Sequence, residues 1–107
     1  MSKIDYTLKV AGVSFYQDAI LKLYKSNKEF NPQKLKLVRE PTNPFDKNAI
    51  QVVYGDEKLG YIPKLYSKTF ADKMDNGRVL ELEFIAWNVP SSEYVRNVGI
   101  TIRVKEI

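Results

Sequence analysis

Apolar and polar residues alternate with a period of two in several short stretches of this chain, and that period marks strands with one buried face. Tyr6, Leu8 and Val10 alternate with Thr7 and Lys9, predicting a first strand over Tyr6–Val10. Leu35 and Leu37 alternate with Lys34 and Lys36 in a second strand, Lys34–Arg39. Ala49–Tyr54 is rich in β-branched residues and makes a third. Gly55-Asp56-Glu57-Lys58 is a tight hairpin turn into a fourth, Leu59–Ile62, which Pro63 stops. Val79–Trp87 places Leu80, Leu82, Phe84 and Ala86 on one face and Glu81, Glu83, Ile85 and Trp87 on the other. The last strand, Val95–Val104, turns Val98, Ile100, Ile102 and Val104 inward and Thr101, Arg103 and Lys105 outward.

The period changes to that of a helix twice. Ser14 followed by Gln17 has the spacing of a capping box, in which each side chain bonds the other's backbone. The helix it predicts, Phe15–Tyr24, buries Ile20, Leu23 and Tyr24 and ends at Ser26-Asn27. Asn31-Pro32 is a further turn. A second helix over Lys64–Asp75 has Leu65, Tyr66, Phe70 and Met74 on its apolar side and Asn76-Gly77 as its C-cap. Strands dominate, and neither helix is long enough to cover a sheet. A small sheet of this kind avoids open edges by curling, so the expected fold is mainly β. It is a small OB-like or SH3-like six-stranded β-barrel with two short helices.

Between the second and third strands lies the densest polar stretch, Arg39-Glu40-Pro41-Thr42-Asn43-Pro44-Phe45-Asp46-Lys47-Asn48. The prolines fix φ, and the Asn and Asp side chains cap nearby backbone groups, so the loop is stiff. A stiff loop serves equally as a plain strand connection and as a preorganised binding site. An arginine, an acid, two amides and an aromatic in one turn exceed what a connection requires.

Composition narrows the chemistry. The 107 residues form one expected domain, long enough to bury a core. Cysteine and histidine are both absent, which excludes disulfides, thiolate metal sites, histidine acid–base catalysis and a Ser-His-Asp triad. No metal or other cofactor is expected. Ser14, Ser67 or Ser91 with a lysine would be the remaining nucleophile pairs, and no spacing supports one, so an enzyme is not expected. The net charge of +4 suits an anionic partner. No apolar run approaches the ~20 residues of a membrane helix, and Met1–Val10 lacks the apolar core of a signal peptide, so the expected location is cytoplasmic.

The stretch from Arg39 to Ile50 resembles the signature of the HIRAN domain family. Gly12-Val13-Ser14-Phe15-Tyr16 resembles that domain's first strand–helix junction, and Gly60-Tyr61-Ile62-Pro63-Lys64 its glycine-tyrosine-hydrophobic-proline element. The chain is similar to the small stand-alone bacterial and phage versions, without the motor or RING domains of larger relatives. The resemblance implies an OB-like barrel that binds the free 3′-hydroxyl end of single-stranded DNA, in DNA repair and at replication forks. It implies a helicase or nuclease as a partner protein and no membrane.

It also implies a site. Asn43 and Asp46 match the polar pair that meets the terminal nucleotide, with the Asp46 carboxylate accepting from the 3′-hydroxyl. Phe15, with Tyr16 beside it, and Phe45 match aromatics near the end nucleotides, although tyrosine is usual at the two phenylalanine positions. Phe45 also suits a plain anchor of the loop into the barrel. Lys64 matches a lysine on backbone phosphate, and Tyr61 faces the same pocket. Asn48 completes the loop. Ser14 stands where the eukaryotic DNA binder has an arginine. Arg39 pairs with Glu40 or another acid, and Trp87, on the face opposite Leu82 and Phe84, is exposed and lines a groove or an interface with another copy. The competing reading is a protein-interaction or self-assembly module. In it the Val95–Val104 strand is a free edge that takes a partner's strand or a second copy.

Overall fold

A computed structural model describes residues 3–26, 28–91 and 97–107. The chain runs β1 (Asp5–Lys9), a 3-10 turn (Val13–Tyr16), α1 (Gln17–Lys25), a second 3-10 turn (Pro32–Lys34), β2 (Leu35–Arg39), β3 (Ile50–Tyr54), β4 (Glu57–Tyr61), α2 (Lys64–Asp75), β5 (Leu80–Asn88) and β6 (Gly99–Glu106). The six strands form two antiparallel three-stranded sheets, ordered β1-β6-β5 and β2-β3-β4. Among the described residues no ladder closes them into one barrel. The two sheets meet through an isolated bridge, Ala11 to Tyr61. Ile20, Ile50, Val52, Leu59, Phe70, Ile102 and Val104 are fully buried in one core shared by both sheets and both helices.

The predicted strands all exist, with ends moved by one or two residues except at the start of the last, which is observed from Gly99. The predicted start of the last strand, at Val95 and Arg96, lies outside the described residues. The rest of that strand, β6, is no edge: it pairs with β1 through Leu8 and Ile102 and with β5 through Phe84 and Ile102. Its backbone groups are used on both sides, so it cannot take a partner's strand.

Two β-bulges break the alternation on which the sequence reading relies. In β5, Phe84 faces Ile102 and Ala86 faces Thr101, leaving Ile85 as the extra residue. One extra residue inverts the faces beyond it. Trp87 therefore turns to the side of Phe84, against expectation, and its ring packs 5.1 Å from those of Phe30 and Phe84 and 5.8 Å from that of Tyr24. Trp87 is half-buried and packs against the core. In β4, Val53 faces Lys58 while Val52 faces Gly60, leaving Leu59 as the extra residue. That bulge brings Lys58 and Tyr61 to one face.

The helices need two corrections. Ser14 and Gln17 do not form a capping box: the Gln17 amide donates to the carbonyls of Val13 and Val98, each at 2.9 Å, and accepts from Val98 N. A side chain committed to the start of β6 cannot also cap its own helix. Leu65 is 82% exposed, because the buried side of α2 runs through Ser67, Phe70 and Ala71, with Met74 at its margin. The α2 C-cap is as expected: Gly77, at φ 79°, lets Arg78 N reach the Lys73 carbonyl at 3.0 Å.

The chain's last strand is pinned by Glu106. Its buried carboxylate accepts from Ile4 N at 3.2 Å and from the Lys73 ammonium at 3.2 Å, with Arg78 at 3.8 Å. The Ile4 N–H and the two cations hold its carboxyl below the ordinary value of 4.5 in spite of burial. An acid whose native pKa is depressed stabilises above its unfolded value and loses that contribution as pH falls through the native one. Between pH 7 and pH 3 the wild type should therefore lose more thermal stability than Glu106→Gln, whose amide carries no titrating proton. Melting curves across that range check this, and parallel losses would show that Glu106 carries none of the acid sensitivity.

Candidate nucleic-acid interface

The β2–β3 loop is rigid for reasons that can be counted bond by bond. Glu40 N donates to the Ala49 carbonyl at 2.9 Å and closes its base. The Asn43 side-chain oxygen accepts from Phe45 N at 2.8 Å and Asp46 N at 3.0 Å. Asp46 Oδ1 accepts from Asn48 N at 2.8 Å. Arg39 anchors the loop to α2: its guanidinium makes a two-pronged pair with Asp75 at 2.9 and 3.0 Å and donates to the Ala49 carbonyl. The expected acid partner of Arg39 is thus Asp75 and not Glu40.

This loop forms one wall of an open cleft of about 790 Å³. Asn43, Phe45 and Asp46 face it from the loop. Phe15 and Tyr16 face it from the 3-10 turn after β1, Tyr61 from the end of β4, and Lys64 from the first turn of α2. Phe15 is 84% exposed and Phe45 91%, so Phe45 does not anchor the loop into the core. Asn48 lies elsewhere: its backbone is fixed by Asp46, and it borders a shallow groove with Arg39, Lys47 and Lys68. Of the sequence candidates, only Asn48 and Trp87 fall outside the cleft.

The two Asp46 oxygens have different duties. Oδ1 caps the loop, whereas among the described residues Oδ2 has only a long 3.4 Å contact from Ser67 Oγ, a hydroxyl also within 3.2 Å of the Lys64 carbonyl. Asp46 lines the cleft, and Oδ2 is the less engaged of its two acceptors. Lys64 also lines the cleft, at the start of a helix whose first N–H groups lack intrahelical partners and favour anions.

Beneath the floor is a polar cluster the sequence reading did not assemble. Glu40 accepts from the Asn43 amide at 2.8 Å, from the Gln51 amide and from the Tyr61 hydroxyl at 3.2 Å, and its Oε2 lies 3.6 Å from the Lys58 ammonium. Lys58 donates to the Tyr61 hydroxyl at 3.0 Å and lies 5.1 and 5.9 Å from the Tyr61 and Tyr16 ring centres. Burial pushes the Glu40 carboxyl up, but bonds from Asn43 and Gln51 and the charge of Lys58 outweigh it and hold it below the usual carboxylate range. The hydrogen bond to Tyr61 holds Lys58 above the ordinary lysine value, and burial raises the Tyr16 phenol. The missed signal was strand register: Gln51 and Tyr61 are cross-strand partners, and the bulge adds Lys58 to their side.

A sequence model of the HIRAN domain matches residues 4–105. No curated protein is similar enough to the chain to match it. Among solved structures, the HIRAN domain of human HLTF superimposes with a TM-score of 0.63 at 22% identity, covering 95% of this chain and 74% of that one. A protein from Lactobacillus plantarum gives 0.64 at 22% identity, covering 99% and 100%. The fold is shared with both. The chain belongs to the HIRAN domain family, a family of binding domains that generally take DNA and are not catalytic in themselves.

Proposed function

We propose that the chain acts as one domain that binds single-stranded DNA by its free 3′-hydroxyl end, in DNA repair or at replication forks, and hands that end to a helicase or nuclease. In this reading the two sheets are the halves of an OB-like barrel, and the Ala11–Tyr61 bridge stands at their seam. The observation that carries the reading is the division of labour within Asp46. One oxygen holds the loop and the other is left to accept from a hydroxyl. A 3′-phosphate would meet the same charge and be repelled. Phe15 and Phe45 offer ring faces to bases, and Lys64 offers a cation to a backbone phosphate.

Fluorescence anisotropy with a short labelled oligonucleotide tests this. The 3′-hydroxyl form should bind about tenfold or more tighter than the 3′-phosphate form, the scale of one hydrogen bond to a charged group. With about three phosphate contacts, log K should fall against log salt with a slope near −2. Equal binding of the two ends removes the end-reading claim, and no binding at low salt removes the nucleic acid.

The exposed rings give a second measurement. Phe15→Ala and Phe45→Ala should each weaken oligonucleotide binding about five- to 150-fold, the worth of one base on one ring. Neither should move the melting temperature appreciably, because both rings lie in solvent. A loss of stability with unchanged affinity would assign the rings to packing instead.

A further inference from the structure

The Glu40 cluster has the composition of an occupied anion site. An ammonium (Lys58), a hydroxyl (Tyr61) and two amides (Asn43 and Gln51) converge on one point, and the group at that point is the Glu40 carboxylate. These are the donors that would bind a phosphate. Here the anion is supplied by the chain. The Glu40 side chain is 20% exposed, and it borders the cleft together with Asn43 and Tyr61, so the point can be reached from the cleft. Lys58 does not line the cleft; it lies behind the Tyr16 and Tyr61 rings. The charges on the lining itself are Glu40, Asp46 and Lys64, two acids and one cation.

We propose that Glu40 is the specificity-determining residue of the cleft, a resident anion that occupies the donors beneath the floor and thereby denies them to a terminal phosphate. This rests on the 3′-end reading above and extends it. Asp46 explains how a hydroxyl end is held. Glu40 explains why a phosphorylated end finds no substitute site a few ångströms away, although the chain places an ammonium, a hydroxyl and two amides there. Lys64 is the cation on the cleft lining, Glu40 and Asp46 its acids, and the Glu40 charge is matched by Lys58 behind it, which orients a strand with its uncharged end toward Asp46 and its phosphates near Lys64.

Neutralising Glu40 should leave the Lys58 ammonium without its counter-charge, so that it attracts a terminal phosphate in the cleft. Glu40→Gln keeps the size of the side chain and removes its charge. It also raises the net charge by one, which strengthens binding of every oligonucleotide, so the ratio of affinities is the quantity to read. The 3′-phosphate oligonucleotide should gain about tenfold in Glu40→Gln and the hydroxyl preference should collapse to about threefold or less. Lys58→Gln should act in the opposite sense. It leaves the Glu40 charge uncompensated, so the hydroxyl preference should rise. Melting curves of both variants establish that the comparison is made on folded protein.

An unchanged ratio in Glu40→Gln overturns the proposal. So does a ratio that falls only because hydroxyl-end binding is lost, since that is what mere loosening of the loop would produce. Should Glu40→Gln not fold, Lys58→Gln decides: a sharper hydroxyl preference supports the proposal and an unchanged one overturns it. A wild type that binds both ends equally removes the 3′-end reading by itself. A phosphate-end gain confined to Glu40→Gln would still establish the resident-anion role. No binding by either protein overturns both.

Discussion

Asp46→Asn is expected to lose 3′-hydroxyl-end binding by about ten- to 150-fold, the equivalent of one hydrogen bond to a charged acceptor. The substitution is chosen because the two oxygens of Asp46 do different things. Asparagine keeps Oδ1, so the bond from Asn48 N at 2.8 Å survives and the loop stays closed. What changes is the other atom, Oδ2, which becomes an N–H₂ donor in place of an acceptor. A donor cannot receive the 3′-hydroxyl proton. It also removes the charge that repels a terminal phosphate, so phosphate-end binding should stay level or improve. Stability should move by no more than about 0.5 kcal/mol, as for substitutions that leave packing and caps intact. Anisotropy with the two oligonucleotides and a thermal melt check this. Unchanged hydroxyl-end affinity would reduce Asp46 to a loop cap.

The parts of the molecule legible in the sequence are those in which the period of two or of 3.6 runs unbroken. α2 lies at its expected bounds, Lys64–Asp75, and β6 turns Ile100, Ile102 and Val104 inward as the alternation requires. The loop was legible for another reason: Asn43 and Asp46 act on backbone groups two or three residues away, so short-range sequence contains the interaction. Errors cluster where one residue is inserted into a ladder. Ile85 inverts the faces of β5 and carries Trp87 into an aromatic cluster with Phe30 and Phe84. Leu59 does the same in β4 and places Lys58 beside Tyr61. No local pattern announces a bulge, because the partner strand is remote in sequence. Glu40 escaped for a related reason. Its neighbour Arg39 is the obvious partner in sequence, but the two project differently, and Arg39 is taken by Asp75 of α2, 36 residues away.

The second large effect belongs to a glycine that contacts no ligand. Gly60 lies in the bulge of β4, against the end of β1. A Cβ built there would stand 2.4 Å from the Ala11 carbonyl oxygen and 2.6 Å from a methyl of Val10. Neither neighbour can yield. Val10 is buried in the core, and the Ala11 carbonyl accepts from Tyr61 N at 2.9 Å while Ala11 N donates to the Tyr61 carbonyl at 2.8 Å. These two bonds are the bridge between the sheets, so Gly60→Ala should push the sheets apart where they are joined. The cost should be about 3 kcal/mol, at the upper end for overpacking because backbone is struck, or roughly 12–24 °C in melting temperature. Gly12→Ala is the contrast. Its Cβ would meet nothing within 4 Å, and its cost is confined to the left-handed backbone at φ 73°, about 1–2 kcal/mol. Binding should separate the two sites further. Ala11 and Tyr61 both line the cleft, so displacing the bridge at Gly60 misplaces the floor, and residual folded Gly60→Ala should bind the hydroxyl-end oligonucleotide poorly even well below its melting temperature. Equal melting of Gly60→Ala and wild type would mean that the Ala11–Tyr61 contact is too loose to hold the sheets or the cleft in place.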